Sequence, residues 1–222
     1  MKKELINRIL SSLIIVPISF FFILKGSFFF SFFLTICFLI SCHEWFLMSK
    51  KKNYLFPGVL FLVFSFYSVF LLRFGNEEMV TIFYIVIITC ISTDIGGYVF
   101  GKLFKGPKLT KISPNKTFSG MLGGFFLSII IMNIFINNKH VFNNFNIKLD
   151  NNLDFSLETF VLILFISTIS QIGDLTVSFF KRISKLKNTG KLIPGHGGIL
   201  DRIDGMIFAF PFSYLILLTD IL

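Results

Sequence analysis

The sequence predicts an all-α, polytopic membrane helical bundle of about seven transmembrane helices with its N-terminus in the cytosol. Three observations lead there. Only 15% of the 222 residues are charged while 54% are hydrophobic, well short of the roughly 25% charged residues of an ordinary globular chain. The apolar residues fall into runs long enough to cross a bilayer. The basic residues fall on one side if those runs are helices that cross.

Seven apolar stretches can be marked, at 7–24, 27–46, 56–72, 79–98, 120–136, 155–177 and 205–222. Each is near the ~17 to 25 residues that a helix needs to span hydrocarbon, and lipid tolerates no unpaired backbone, so helices are the expected form. The first stretch follows Lys2 and Lys3 but has no small-residue cleavage site and runs into a second span, so it is read as a retained helix rather than a leader. The 33 phenylalanines, set against the single Ala209, read as lipid-facing filler. Cys37, Cys42 and Cys90 lie in apolar runs with no C-x-x-C pair, so neither a disulfide framework nor a zinc site is indicated and they read as packing residues.

With the N-terminus inside, all of the 21 basic residues except Lys25, Arg73, Lys139 and Lys148 lie in cytosolic segments. This is the positive-inside pattern, and it accounts for the net charge of +9 through topology and anionic headgroups, so no nucleic-acid partner is expected. The Asn-rich stretch at 137–154 reads as an external connector in which His140 is inert. No repeat of fixed period is visible, and a single membrane-embedded domain over 1–222 is the expected organisation.

The same topology places Glu4, Glu44, Asp94, Asp174, Asp201 and Asp204 inside. A carboxylate buried at such a position needs a partner, whether Lys, Arg or a metal ion. For Glu44 and Asp94 a salt bridge and a site role are both open readings. Asp174 follows Gly173 at a helix end, and Asp201 follows a glycine-rich turn and precedes Arg202 and Asp204, so these acids are candidates to meet around a Mg²⁺ ion.

Two cytosolic loops carry the remaining chemistry. The first, 101–119, holds Ser113, Asn115, Lys116 and Thr117 just before a helix, where hydroxyl, amide, ammonium and free backbone N–H groups suit phosphate. Gly96 to Lys102 has the spacing of a P-loop, but Leu103 stands where a Ser or Thr must bind magnesium. The segment also ends a membrane helix, so Gly96, Gly97 and Gly101 are read as close-packing positions. The second loop contains Ser178, Lys181, Arg182, Lys187, Gly190, Pro194, Gly195, His196, Gly197, Gly198, Asp201, Arg202 and Asp204. Lys181 and Arg182 alone would be an ordinary juxtamembrane pair and His196 alone a hydrogen-bonding loop residue. Together with the acids they form an anion-plus-metal constellation.

The string SFFKRISKLKNTGKLIPGHGGILDRID, at 178–204, resembles the signature of the phosphatidate cytidylyltransferase family, also called CDP-diacylglycerol synthase. Asp94-Ile-Gly-Gly-Tyr98, Ser113-Pro-Asn-Lys-Thr117 and Gly173-Asp174 are similar too, so the family-like catalytic part covers about 93–211. Two departures stand out. Asn188 occupies a position where the family usually has Asp, which keeps an oxygen and loses the charge. Thr117-Phe118-Ser119-Gly120 replaces an aromatic and Glu before the glycine.

The resemblance implies a nucleotidyltransferase of the bacterial inner membrane, its site facing the cytosol, that joins CTP to phosphatidic acid and gives CDP-diacylglycerol and pyrophosphate. Phosphatidate supplies its own anionic nucleophile, so the site must chiefly neutralise charge and align phosphates. It further implies Asp174, Asp201, Lys181, Arg182 and His196 as catalytic residues, with Asp174, Asp201 and Asp204 around Mg²⁺ and a second cation in the same acidic cluster. Ser113, Asn115, Lys116, Thr117, Ser178, Lys187, Gly197, Gly198 and Arg202 would bind substrate. A homodimer is carried as the oligomeric expectation. The alternatives are a related CTP-using membrane lipid kinase and, from other classes, an ion-coupled transporter or a scaffold with basic loops. A transporter would distribute its charges through the bilayer depth, whereas here they gather at one face.

Overall fold

The computed structural model describes residues 2–50, 52–145, 147–193, 195 and 197–219, apart from the side chains of 2–9, 12 and 143. Helices run along most of it: α1 (Lys2–Lys25), α2 (Ser27–Ser49), α3 (Leu55–Phe74), α4 (Glu77–Phe104), α5 (Phe118–Asn137), α6 (Leu157–Ile183), the short α7 (Leu200–Ile203) and α8 (Met206–Leu218). A 3₁₀ turn at Lys139–Phe145 lies in the α5–α6 connector. Each expected apolar stretch is helical over most of its described residues, and α2 to α6 are each long and apolar enough to cross a membrane. The last stretch gives the 13 described residues of α8, about 20 Å of helix at 1.5 Å per residue. The chain is therefore an all-helical membrane protein with five candidate spans among the described residues.

Two compact units divide the fold, one of residues 1–70 with 180–203, the other of 71–179 with 204–222. In the first, α1 turns into α2 through Gly26 at φ 61°, and Phe22 stacks on Phe33 with ring centroids 5.2 Å apart. Trp45 of α2 is buried. Its indole Nε1 donates to the Leu55 carbonyl at 3.1 Å, and its ring meets Phe180 edge-on at 5.1 Å. Tyr54 stands 4.8 Å from the same Phe180 ring and hydrogen-bonds the Ser184 hydroxyl, whose own hydrogen goes to the Met48 carbonyl. These aromatic and hydroxyl contacts fasten the C-terminal end of α6 to α2.

In the second unit α4 and α5 lie against one another through glycines. A Cβ on Gly96 would stand 2.3 Å from the Gly123 carbonyl oxygen, and one on Gly120 would stand 2.7 Å from that of Gly97. The backbones touch, which is why these positions exclude side chains. The reading of Gly96 as a packing residue therefore holds, as does that of Gly101, where a Cβ would stand 3.0 Å from the Thr117 hydroxyl oxygen; at Gly97 a Cβ would meet the Gly120 carbonyl at 3.7 Å, an ordinary contact. Thr93 on α4 reaches α6 through a 2.7 Å hydroxyl contact with Ser167, and Phe83 packs on Phe210 of α8. Outside the spans, Lys139 donates to the carbonyls of Asn151 and Leu153 at 2.6 Å each and ties the α5–α6 connector together.

Candidate active site

In the second unit the loop between α4 and α5 folds as a small hairpin. Leu109 donates its N–H to the Lys116 carbonyl at 2.8 Å, and Phe118 donates to that of Pro107 at 3.0 Å. Its tip is Ser113-Pro114-Asn115-Lys116, where the Lys116 N–H returns to the Ser113 carbonyl at 3.1 Å. Proline second and asparagine third in such a four-residue turn satisfy the dihedral demands of those positions. Thr117 caps α5, its Oγ1 accepting the Gly120 N–H at 3.1 Å and touching the Ser119 hydroxyl at 3.0 Å.

This geometry re-assigns part of the expected phosphate cradle. The Ser113 carbonyl and the Thr117 hydroxyl hold the loop and the helix end, while the Asn115 side chain is exposed. Lys116 forms an ion pair with Asp174 Oδ2. Asp174, on α6, also accepts the Ser178 hydroxyl on Oδ1 at 3.3 Å. Next to it Gly173 leaves room for the Asp204 backbone, whose carbonyl oxygen would lie 2.9 Å from an added Cβ. Asp204 is buried and its Oδ1 accepts the Gly205 N–H at 3.0 Å. Lys116, Asp174, Ser178 and the start of the Asp204 segment thus form one cluster.

The first unit holds the glycine-rich loop. The α6 helix ends in a Schellman turn: Leu186 donates to the Lys181 carbonyl at 2.8 Å and Lys185 to that of Arg182 at 3.0 Å, with Lys185 at φ 56°. Further on, Ile193 and Gly197 exchange N–H and carbonyl bonds of 2.9 and 3.1 Å and close a tight turn. Gly195 and Gly197 at its tip have φ of 78° and 92°, which favour glycine. His196 lies outside the described residues.

Asp201 braces this loop. Its Oδ1 accepts the Lys181 ammonium at 2.8 Å, and its Oδ2 accepts the N–H groups of Thr189 at 2.8 Å and Gly198 at 3.1 Å. The pair is largely dry, with side chains 10% and 6% exposed. Burial pushes the Asp201 carboxyl up, but the hydrogen bond from Lys181, the Gly198 N–H, the Lys181 charge and the Thr189 N–H outweigh it and hold the group below its usual 3.8.

A second carboxylate completes the seat, one for which a salt bridge and a site role were both open from the sequence. Glu44 of α2, 3% exposed, accepts the Thr189 hydroxyl at 2.8 Å and the N–H of Leu200 at 2.9 Å on Oε2, and the N–H of Ile199 at 3.0 Å on Oε1. Its partners are neutral donors of the loop, neither a base nor a candidate ligand. The usable clue was an acid in an apolar helix together with hydroxyl and glycine positions in the loop. Arg182, Lys187 and Arg202 are exposed, and Arg182 donates to the Leu186 carbonyl at 3.3 Å.

Magnesium can be tested against these donors. No group of three or more His, Cys, Asp or Glu side chains is placed to hold a metal among the described residues. Asp174 nevertheless fits a hard cation: its carboxylate is partly accessible and already faces a cation in Lys116. Mg²⁺ is commonly held by one or two carboxylates with substrate phosphates completing its shell. Asp201 has less to offer, because both lone pairs of Oδ2 are taken by N–H groups and Oδ1 faces Lys181.

The sequence matches the cytidylyltransferase family over residues 6–90 and, overlapping, 54–219. A phosphatidate cytidylyltransferase of Rickettsia felis is 31% identical over 224 residues, covering 97% of this chain and 93% of the relative. The chain belongs to the cytidylyltransferase family. Within the family, the phosphatidate cytidylyltransferase of Brucella suis biovar 1 is 35% identical, over 82% of this chain and 64% of its own length. That of Staphylococcus aureus strain COL is 38% identical over 58% of this chain, which spans 45% of that relative.

Proposed function

We propose that this protein transfers the cytidylyl group of CTP to phosphatidic acid, yielding CDP-diacylglycerol and pyrophosphate for phospholipid synthesis. The observation that carries the reading is the match along 97% of the chain to a relative named for this reaction. The two lysine–carboxylate pairs and the braced glycine loop give the chemistry residues to work with.

A phosphate oxygen of the lipid attacks the α-phosphorus of CTP, and the bond from that phosphorus to the bridging oxygen of the β-phosphate breaks. Pyrophosphate leaves with that electron pair, so the step needs no redox partner and little from a general base. Lys116, Lys181, Arg182 and Arg202 offset the charge of nucleotide, headgroup and leaving group. Mg²⁺, when bound, would supply further neutralisation of phosphate charge; Asp174 would be its chief protein ligand, with Asp201 and Asp204 assisting. Lys187 offers an exposed ammonium to the phosphates, Gly197 and Gly198 shape the loop beside them, and Ser178 and His196 complete the substrate-binding set.

We place the reaction at the cytosolic face of a bacterial inner membrane, with seven spans and the N-terminus inside, on the lysine and arginine bias of the loops. There the headgroup lies at the interface and CTP arrives from the cytosol. Detergent-purified protein should release pyrophosphate from CTP only with phosphatidate and Mg²⁺ together. Label from the α-phosphate of CTP should enter the lipid. Entry of γ-label instead would replace this reading with lipid phosphorylation, and solute flux without lipid product would replace it with transport.

A further inference from the structure

We propose that Glu44 is a positioning residue of the transferase loop: its buried carboxylate is the template on which Thr189, Gly190 and the segment 198–200 take their shape. The claim rests on the function proposed above for that loop and assigns a role to a residue far from it in sequence.

Three donors from both arms of the loop converge on Glu44, namely the Thr189 hydroxyl, the Ile199 N–H and the Leu200 N–H. The two arms are also shaped around the acid. A Cβ on Gly190 would lie 2.6 Å from Oε1, and one on Gly198 would lie 2.2 Å from Oε2. No side chain fits at either place without displacing the carboxylate.

Glu44 and Asp201 act on the same two residues. Thr189 sends its hydroxyl to Glu44 and its N–H to Asp201, and Gly198 donates to Asp201 while its Cα faces Glu44. The position of Asp201, and of Lys181 paired with it, is therefore coupled to Glu44 through one threonine and one glycine. A charged acceptor deep in the fold can organise backbone donors in this way because each hydrogen bond to it is charge-assisted. A neutral amide cannot do the same. In Glu44→Gln the NH₂ must face either the Ile199 N–H or the Leu200 N–H, whichever way it turns.

The test compares Glu44→Gln, Thr189→Val and Thr189→Ser in the full-length, detergent-purified protein. Glu44→Gln should lower kcat by roughly ten- to a hundred-fold, the range expected when a charged hydrogen-bond acceptor is lost. The KM for CTP should move far less, since alignment rather than affinity is disturbed. Thr189→Ser should behave as the parent and Thr189→Val should lose part of kcat. In the Glu44→Gln background Thr189→Val should add little, because the interaction is already gone.

The emission of the single tryptophan, Trp45, should stay that of the parent and report an intact fold. Wild-type kcat in Glu44→Gln, a loss confined to KM, or additive effects of the two substitutions would overturn the proposal. If Glu44→Gln does not fold, Thr189→Val against Thr189→Ser decides it. Should the parent release no pyrophosphate, the activity reading fails by itself. Hydrogen exchange at Ile199 and Leu200 still judges the template, which requires faster exchange in Glu44→Gln and is refuted by equal rates.

Discussion

Replacing Asp201 with Asn probes the brace most directly. The amide oxygen can keep the Thr189 and Gly198 N–H donors, but its NH₂ then faces the Lys181 ammonium across 2.8 Å. Breaking one side of a buried ion pair costs about 3–5 kcal/mol. The Lys181 side chain is 10% exposed, and its flexible stem can lift the charge toward water, so the lower end, about 3 kcal/mol, applies. For a chain of this size that is a fall in melting temperature of roughly 6–12 °C.

Unfolding in detergent followed by Trp45 emission measures it, since Trp45 contacts Phe180 directly before Lys181. Adding Lys181→Met removes the stranded charge and should recover at least half of the loss, while CTP-dependent product formation stays below about one hundredth of the parent's. A single variant that melts with the parent, or a double variant no more stable than the single, would refute the argument.

Asp174→Asn should abolish product formation without preventing membrane insertion, checked by lipid-product assay and membrane fractionation; normal turnover would remove Asp174 from the metal site. Lys181→Ala should weaken substrate use in steady-state kinetics, with parental kinetics counting against a phosphate contact. Gly96→Ala forces a Cβ to 2.3 Å from the Gly123 carbonyl and should cost about 1–3 kcal/mol by parting α4 from α5, measured as a lower melting temperature. Asp201 is held below its usual 3.8, so its contribution is complete above that value and is lost as pH falls through the lowered one. Exchange at Thr189 and Gly198, corrected for intrinsic rate, should be constant from about pH 8 to 5 and rise only below about 4. A rise near neutrality would show that another group governs the loop.

The helices, and the residues of the glycine loop, are legible in the chain itself. Apolar runs of bilayer length leave helix as the only economical way to pair backbone, and the clustered lysines mark the loops between them. The glycines at 96 and 101 were readable as packing positions for the same local reason. The partner of each charged side chain was not readable. Lys116 and Asp174 are 58 positions apart by number and meet as a pair, and no periodicity links them. Asp201 reads as a ligand from its motif, yet in the fold its oxygens hold Lys181 and two loop amides.

Glu44 shows the division most clearly. Its sequence setting, an acid near the end of an apolar helix, demands a partner because a lone buried charge is costly. It does not say which. Sequence determines that the charge must be compensated, through hydrophobicity and local spacing. Only the tertiary structure decides by what, because hydrogen bonds are short and directional and depend on which distant backbone groups the packing of α2 and the loop brings within about 3 Å.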